Sequence, residues 1–323
     1  MRLRRRRHLR TPALAGVLLC AILLLGCAAP PQTRALLQER PERLVPVAEL
    51  FHVPFVPQDD HLCGPASLSM VAQAAGMNLS MQELTPQVYL PGRQGALQVE
   101  MLVAARRNGL IPYPLPGMLP ALLEQVAAGR PVLVLQNLAF DATPLWHYAV
   151  LIGYDLAAGE VVLHSGVTAR QRMRMSVFER TWARAGHWAV LVVQPQDMPA
   201  GLDQQVWSVA VAALERVHPE AARRGWQALL GQHPGHRVAM FGLGTTAHAL
   251  ADIEAARHAF AETVRRHPDF ADAWHNLALV LLEQGDRSGA REAVDRALAI
   301  GGPRRAAYLS LQQRMAEASQ GPR

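Results

Sequence analysis

Between residues 203 and 320 the chain repeats itself with a period of 34 residues, and that period restricts its fold more than any other feature. His233-Pro234 recurs as His267-Pro268. The stretch from Ala271 places Trp274, Leu277, Ala278, Ala290, Val294 and Ala297 in one unit. The stretch from Arg237 places Met240, Leu243, Gly244, Ala256, Phe260 and Pro268 at matching offsets. A degenerate first unit offers Val209, Ala210, Ala222, Trp226 and Pro234. Small residues at the eighth and twentieth positions let two helices approach closely. A hairpin of that size cannot bury its apolar face alone, so such units stack. The expectation is about three units forming an all-α solenoid with one concave face.

The rest of the chain is different in texture. Of 323 residues, half are hydrophobic and 18% charged, which fits a globular protein rather than a disordered one. Every one of the 32 basic residues is Arg, so Schiff-base and P-loop lysine chemistry are excluded. Six Arg lie within residues 1–26, and the remainder of the chain is formally neutral. Nucleic acid is therefore not an expected partner, because no net attraction for phosphate is left.

Residues 1–26 read as a leader. Arg2, Arg4, Arg5, Arg6, Arg7 and Arg10 precede an apolar run from Ala13 to Leu25, short for a membrane span. The run ends Leu24-Leu25-Gly26-Cys27, which resembles the bacterial lipobox. That resemblance implies a lipid on Cys27. Ala28 after it resembles lipoproteins sorted to the outer membrane. The expectation is a protein of the bacterial cell envelope, lipid-anchored to the outer membrane and facing the periplasm. Residues 27–50, opening Ala28-Ala29-Pro30-Pro31, are expected to be a polar tether.

Residues 51–196 mix two patterns. Helices are predicted over 65–75, 96–108 and 119–128, each stopped by Gly76, Gly109 or Gly129. Four apolar runs follow at 131–136, 148–154, 161–164 and 188–193. They predict an antiparallel sheet, and the whole an α+β domain with helices on one side. Trp146, Trp182 and Trp188 are expected as core or groove walls.

The chemistry gathers around Cys63 and His147. Cys20 leaves with the leader and Cys27 is the lipid site, so Cys63 is the one free thiol. It stands just before a helix, in Leu62-Cys63-Gly64-Pro65, where unpaired N–H groups favour thiolate. Gly64 leaves room for an approaching carbonyl. His147, in Trp146-His147-Tyr148-Ala149, opens an apolar strand and can reach a helix packed on the sheet. A cysteine at a helix start and a histidine on a strand is an arrangement for acyl transfer. Gln58 can donate to a developing oxyanion with the Cys63 N–H. Asp59-Asp60-His61 are read as a solvated loop, and no metal or cofactor is expected. The seven histidines of the repeats are read as surface residues.

Gln58 with Cys63-Gly64-Pro65-Ala66, then His147-Tyr148-Ala149-Val150 ahead of Gly153-Tyr154, resembles the bacteriocin-processing (double-glycine) cysteine peptidase family and its non-transporter relatives. The resemblance implies a papain-like fold, Cys63 as nucleophile, His147 as base and Gln58 as oxyanion donor. Residues 203–320 resemble tetratricopeptide repeats. The family places an Asp on the strand after the histidine to orient the imidazole; here the stretch reads Leu163-His164-Ser165-Gly166. His164 is the candidate for that role, with Ser165 or a backbone carbonyl as alternatives; Asp155 sits on a turn. The expected function is a membrane-anchored cysteine peptidase whose repeat face recruits a protein partner. Two alternatives are a non-catalytic binding or assembly module, and a cell-wall amidase or transpeptidase using the same thioester.

Overall fold

The apolar runs pair as one antiparallel sheet, and its ends bring the chemistry-bearing residues to one place. The computed structural model describes residues 29–39, 41–58, 61–199 and 201–320. The expected signal peptide over 1–26 and Cys27 lie outside the described residues, as do Asp59 and Asp60.

In chain order the N-terminal body contains α1 (Pro31–Glu39), β1 (Val47–Glu49), α2 (Cys63–Ala74), α3 (Met81–Val88), β2 (Tyr89–Leu90), β3 (Gly95–Ala96), α4 (Gln98–Arg107), β4 (Ile111–Pro114) and α5 (Leu119–Ala127). Then come β5 (Val132–Asn137), β6 (Trp146–Asp155), β7 (Glu160–Ser165), β8 (Thr168–Arg174), α6 (Met175–Ala183) and β9 (Ala189–Val193). The sheet runs β4-β9-β5-β6-β7-β8, all antiparallel, and β1 continues beside β6 where β5 stops. A Cβ on Gly153 would lie 2.9 Å from the Ala48 carbonyl oxygen, so glycine permits that close approach of β1.

The four expected strands are present, and three others join them. Strand β4 reads Ile-Pro-Tyr-Pro, and its prolines suit an edge. Strand β8, the other edge, is mostly exposed and rich in Arg. Helix α2 lies against β5, β6 and β9, and every residue from Gly64 to Ala72 is buried.

The expected tether is a correction. Within residues 27–50, α1 is docked on α5 and α6, and β1 is a sheet strand. Leu36 and Leu44 supply the apolar burial that a polar linker would lack.

Beyond Asp203 the chain is helical: α7 (Gln204–Glu215), α8 (Pro219–Gln232), α9 (Arg237–Ala249), α10 (Ile253–Arg266), α11 (Ala271–Glu283), α12 (Arg287–Ile300) and α13 (Arg305–Gln320). Asp203, Asp252 and Asp286 cap three of them by accepting backbone N–H bonds. The core does not divide at the strand-to-helix change. Trp207, Val211, Trp226 and Leu229 share one cluster with the sheet, while a second cluster begins at Ala247 and runs to Met315. Asp203 N–H donates to the Tyr113 hydroxyl on β4 at 3.0 Å. The first helical pair is thus packed as part of the N-terminal body. His275 departs from the expected surface role. It is 5% exposed, with its ring 5.1 Å from that of Tyr308.

Candidate active site

Cys63 is the first residue of α2. Its predecessor Leu62 has no side-chain oxygen, so the first-turn N–H groups receive no cap from it. Burial pushes the Cys63 thiol up, while N–H groups of Tyr148, Gly64 and Cys63 itself draw it back. The Tyr148 N–H, on the strand that carries His147, is the largest of the influences that lower the thiol.

His147 is half-buried near the start of β6, and burial holds its imidazole below the usual histidine range. Both shifts favour the uncharged forms, a thiol and a neutral imidazole. His147 Nε2 lies 2.9 Å from Ser165 Oγ. Parity explains that choice of partner. Val150 pairs with His164 across β6 and β7, so His164 takes the face of Tyr148 and Val150. Ser165, one residue on, falls on the face of His147.

His164 accordingly does not orient His147, which corrects the expectation. It is 3% exposed. Its Nε2 lies 3.2 Å from the Val53 carbonyl oxygen, and its Nδ1 accepts from Arg170 N–H at 3.1 Å. It ties β7 to the Val53 segment and to β8. Asp155 also stays away: its Oδ1 accepts from the N–H groups of Ala157 and Ala158, each at 2.9 Å. Eight residues along a strand separate it from His147, about 27 Å.

Gln58 is 5% exposed, and both its Oε1 and Nε2 lack a hydrogen-bond partner among the described residues. Its backbone N–H donates to the Gly166 carbonyl at 3.3 Å, next to Ser165. Contacts and chain neighbours thus run from Cys63 through Tyr148, His147, Ser165 and Gly166 to Gln58. A buried amide without a partner costs ~1–3 kcal/mol, so a ligand that pairs with it recovers that cost.

One residue escaped the sequence reading. Gln136 pairs with His147 across β5 and β6, is wholly buried, and donates to Thr181 Oγ1 at 2.6 Å. Its Oε1 has no partner among the described residues. A lone Gln ending an apolar strand was the available signal. Ser165 was legible only as one of several alternatives. Gly64 plays a different part from the expected one. A Cβ there would lie 2.6 Å from Ala96 Cβ and 3.2 Å from Met101 Sδ, so it seats α2 under β3 rather than opening space for a substrate. Trp182 is fully buried, Trp188 packs on Tyr148 with ring centroids 5.7 Å apart, and Trp146 is 52% exposed beside His147.

Comparison with known proteins matches both parts of the chain to families. Residues 51–190 match the model of the peptidase C39-like family, and residues 243–306 match that of the tetratricopeptide repeat. The chain joins a C39-like peptidase domain to tetratricopeptide repeats. Among solved structures it is similar to a Bacillus anthracis protein described as a C39-like peptidase, at 19% identity and TM-score 0.38, over 46% of this chain and 97% of that one. It is also similar to YrrB, a TPR protein with an unusual peptide-binding site, at 22% identity and TM-score 0.31, over 35% of this chain and 59% of that one. A third is MamA, at 16% identity and TM-score 0.29, over 36% of this chain and 79% of that one. The comparison with curated protein sequences returns no match.

Proposed function

We propose that the protein is a cysteine peptidase working by thiolate acyl transfer. One observation carries the reading: the free thiol sits at the start of a helix packed on the strand of His147, with the Gln58 amide, unpartnered among the described residues, tied to Gly166 beside Ser165. In this mechanism Cys63 attacks a peptide carbonyl and His147 accepts the thiol proton. Gln58 Nε2–H and backbone N–H at the start of α2 donate to the oxyanion. His147 then protonates the leaving amine, and water attacks the thioester to free the acid. Because burial favours the uncharged pair, the proton moves as the carbonyl is attacked rather than beforehand. The repeats recruit a protein partner, and an anchor through Cys27 holds the enzyme in the bacterial envelope.

A second reading is a peptidase-like binding module with little turnover. Ser165 favours it, because a hydroxyl brings no negative charge to stabilise the imidazolium. Incubation of the full chain with a proteome-derived peptide library, read by mass spectrometry, separates the two. The first reading expects new termini that vanish with Cys63→Ala. Cleavage that persists in Cys63→Ala overturns it, and no cleavage by the folded wild type favours the second.

A further inference from the structure

The N-terminal stretch is fastened to the body from its first described turn. Thr33 N–H and Oγ1–H donate to Glu179 Oε2 at 2.5 and 2.6 Å, and Gln32 N–H donates to Glu179 Oε1 at 2.9 Å. Glu179 is 2% exposed, so α1 begins on a buried carboxylate, where the helix dipole favours it. The Gln32 side chain spans the Gly117 carbonyl at 3.0 Å and the Leu119 N–H at 2.5 Å. Leu36 is buried one turn further on. Between Gly117 and Leu119 in the chain stands Met118, an apolar side chain left 54% exposed. Pro31 and Arg34 are exposed on the adjoining turn of α1.

Chain length then fixes a distance. From Cys27 to Pro31 the extended chain spans at most ~14 Å at about 3.3–3.6 Å per residue. Were the apolar run ending at Leu25 itself the anchor, the span would be ~20 Å. Each headgroup layer takes up roughly 5–8 Å of that. A rigidly docked helix on so short a leash cannot swing its far side toward the lipid.

We propose that a bilayer surface seats the body at one corner, made by the start of α1 and the Gly117–Leu119 turn. Met118 enters the headgroup layer and Arg34 meets lipid phosphates. The inference rests on the membrane-anchor reading and specifies which face the anchor presents. It holds the Cys63 site at a fixed height, so substrates are polypeptides lying at or near the membrane.

The test uses the full chain, produced with its leader and reconstituted into phosphatidylethanolamine–phosphatidylglycerol vesicles, in a Cys63→Ala background. Bimane on Met118→Cys is compared with bimane on Arg291→Cys in α12, using headgroup nitroxide lipids as quencher. Strong quenching at 118 and none at 291 is expected. A 20-residue Gly-Ser insertion after Pro30 is expected to abolish it while the protein stays on the vesicles. Vesicle-bound protein without quenching at 118, or quenching that survives the insertion, overturns the seating and leaves the anchor standing. Protein that does not bind vesicles and carries no lipid mass on Cys27 overturns the anchor reading and the seating with it.

Discussion

Burial sets the resting charge of the two reacting groups, and each shift has a sign that can be measured. The Cys63 thiol is raised, so alkylation of the folded protein by iodoacetamide is expected to reach half-maximum above the ordinary thiol value of ~8.5. His147, His164 and His275 are depressed by burial. Below the ordinary histidine value of ~6.5 the unfolded chain binds more protons than the native one. Stability present at neutral pH is therefore lost as pH falls through the depressed native values. Denaturant midpoints followed from pH 7 to 5 check this, and a flat profile would contradict it. Gln58 separates function from stability. Its unpartnered amide is a stability cost, so Gln58→Leu is expected to leave folding unchanged or improved, while acyl transfer falls ~10²–10³-fold. Ser165→Asp is expected to raise His147 basicity and speed acyl transfer, and Ser165→Ala to slow it. Cys63, His147 and Gln58 were legible because each stands in a local pattern. The choice of Ser165 over His164 was not, since it depends on a one-residue register between β6 and β7.

Elements whose pattern agreed with their surroundings could be read directly; those fixed by tertiary contacts could not. Helix α2 is the clear case of agreement, with Pro65 inside its first turn and glycine beyond its end. Helix α3 carried its own signature in the reciprocal Ser80–Glu83 capping box, but Pro86 within it obscured the pattern. Strand β1 and helix α1 were hidden for another reason. Three residues pairing with β6, and a helix held by the buried Glu179, are chosen by partners over 100 residues away. The packing of α2 under β3 makes Gly64→Ala costly. Its Cβ would overlap that of Ala96, and about 1–3 kcal/mol of stability is expected to be lost. Urea denaturation measures this, and an unchanged midpoint would show that β3 moves aside freely.

The molecule is two cores along one chain, and the division falls within the repeats. A boundary near residue 200 is natural in sequence because strands end and helices begin there. Packing places the first helical pair with the sheet instead. A fragment ending at 199 would expose the faces of Ile111 and Tyr113 that the first helical pair covers. It is expected to aggregate, whereas one ending after α8 keeps most of that cover and stays monomeric by light scattering. Glu215 fastens the junction, accepting from Trp226 Nε1–H at 2.8 Å and Thr245 Oγ1–H at 3.1 Å. The 34-residue period foretold the stacking but gave no sign that its first unit belongs to another core. The central claim concerns the thiol, and p-nitrophenyl acetate tests it most directly, with intact-mass and peptide mapping of the full chain. The account expects one acetyl group per chain on Cys63, formed at least ~10²-fold more slowly in His147→Ala. Acetylation of Cys63 at the rate of an ordinary buried thiol, indifferent to His147→Ala and Gln58→Leu, would contradict it.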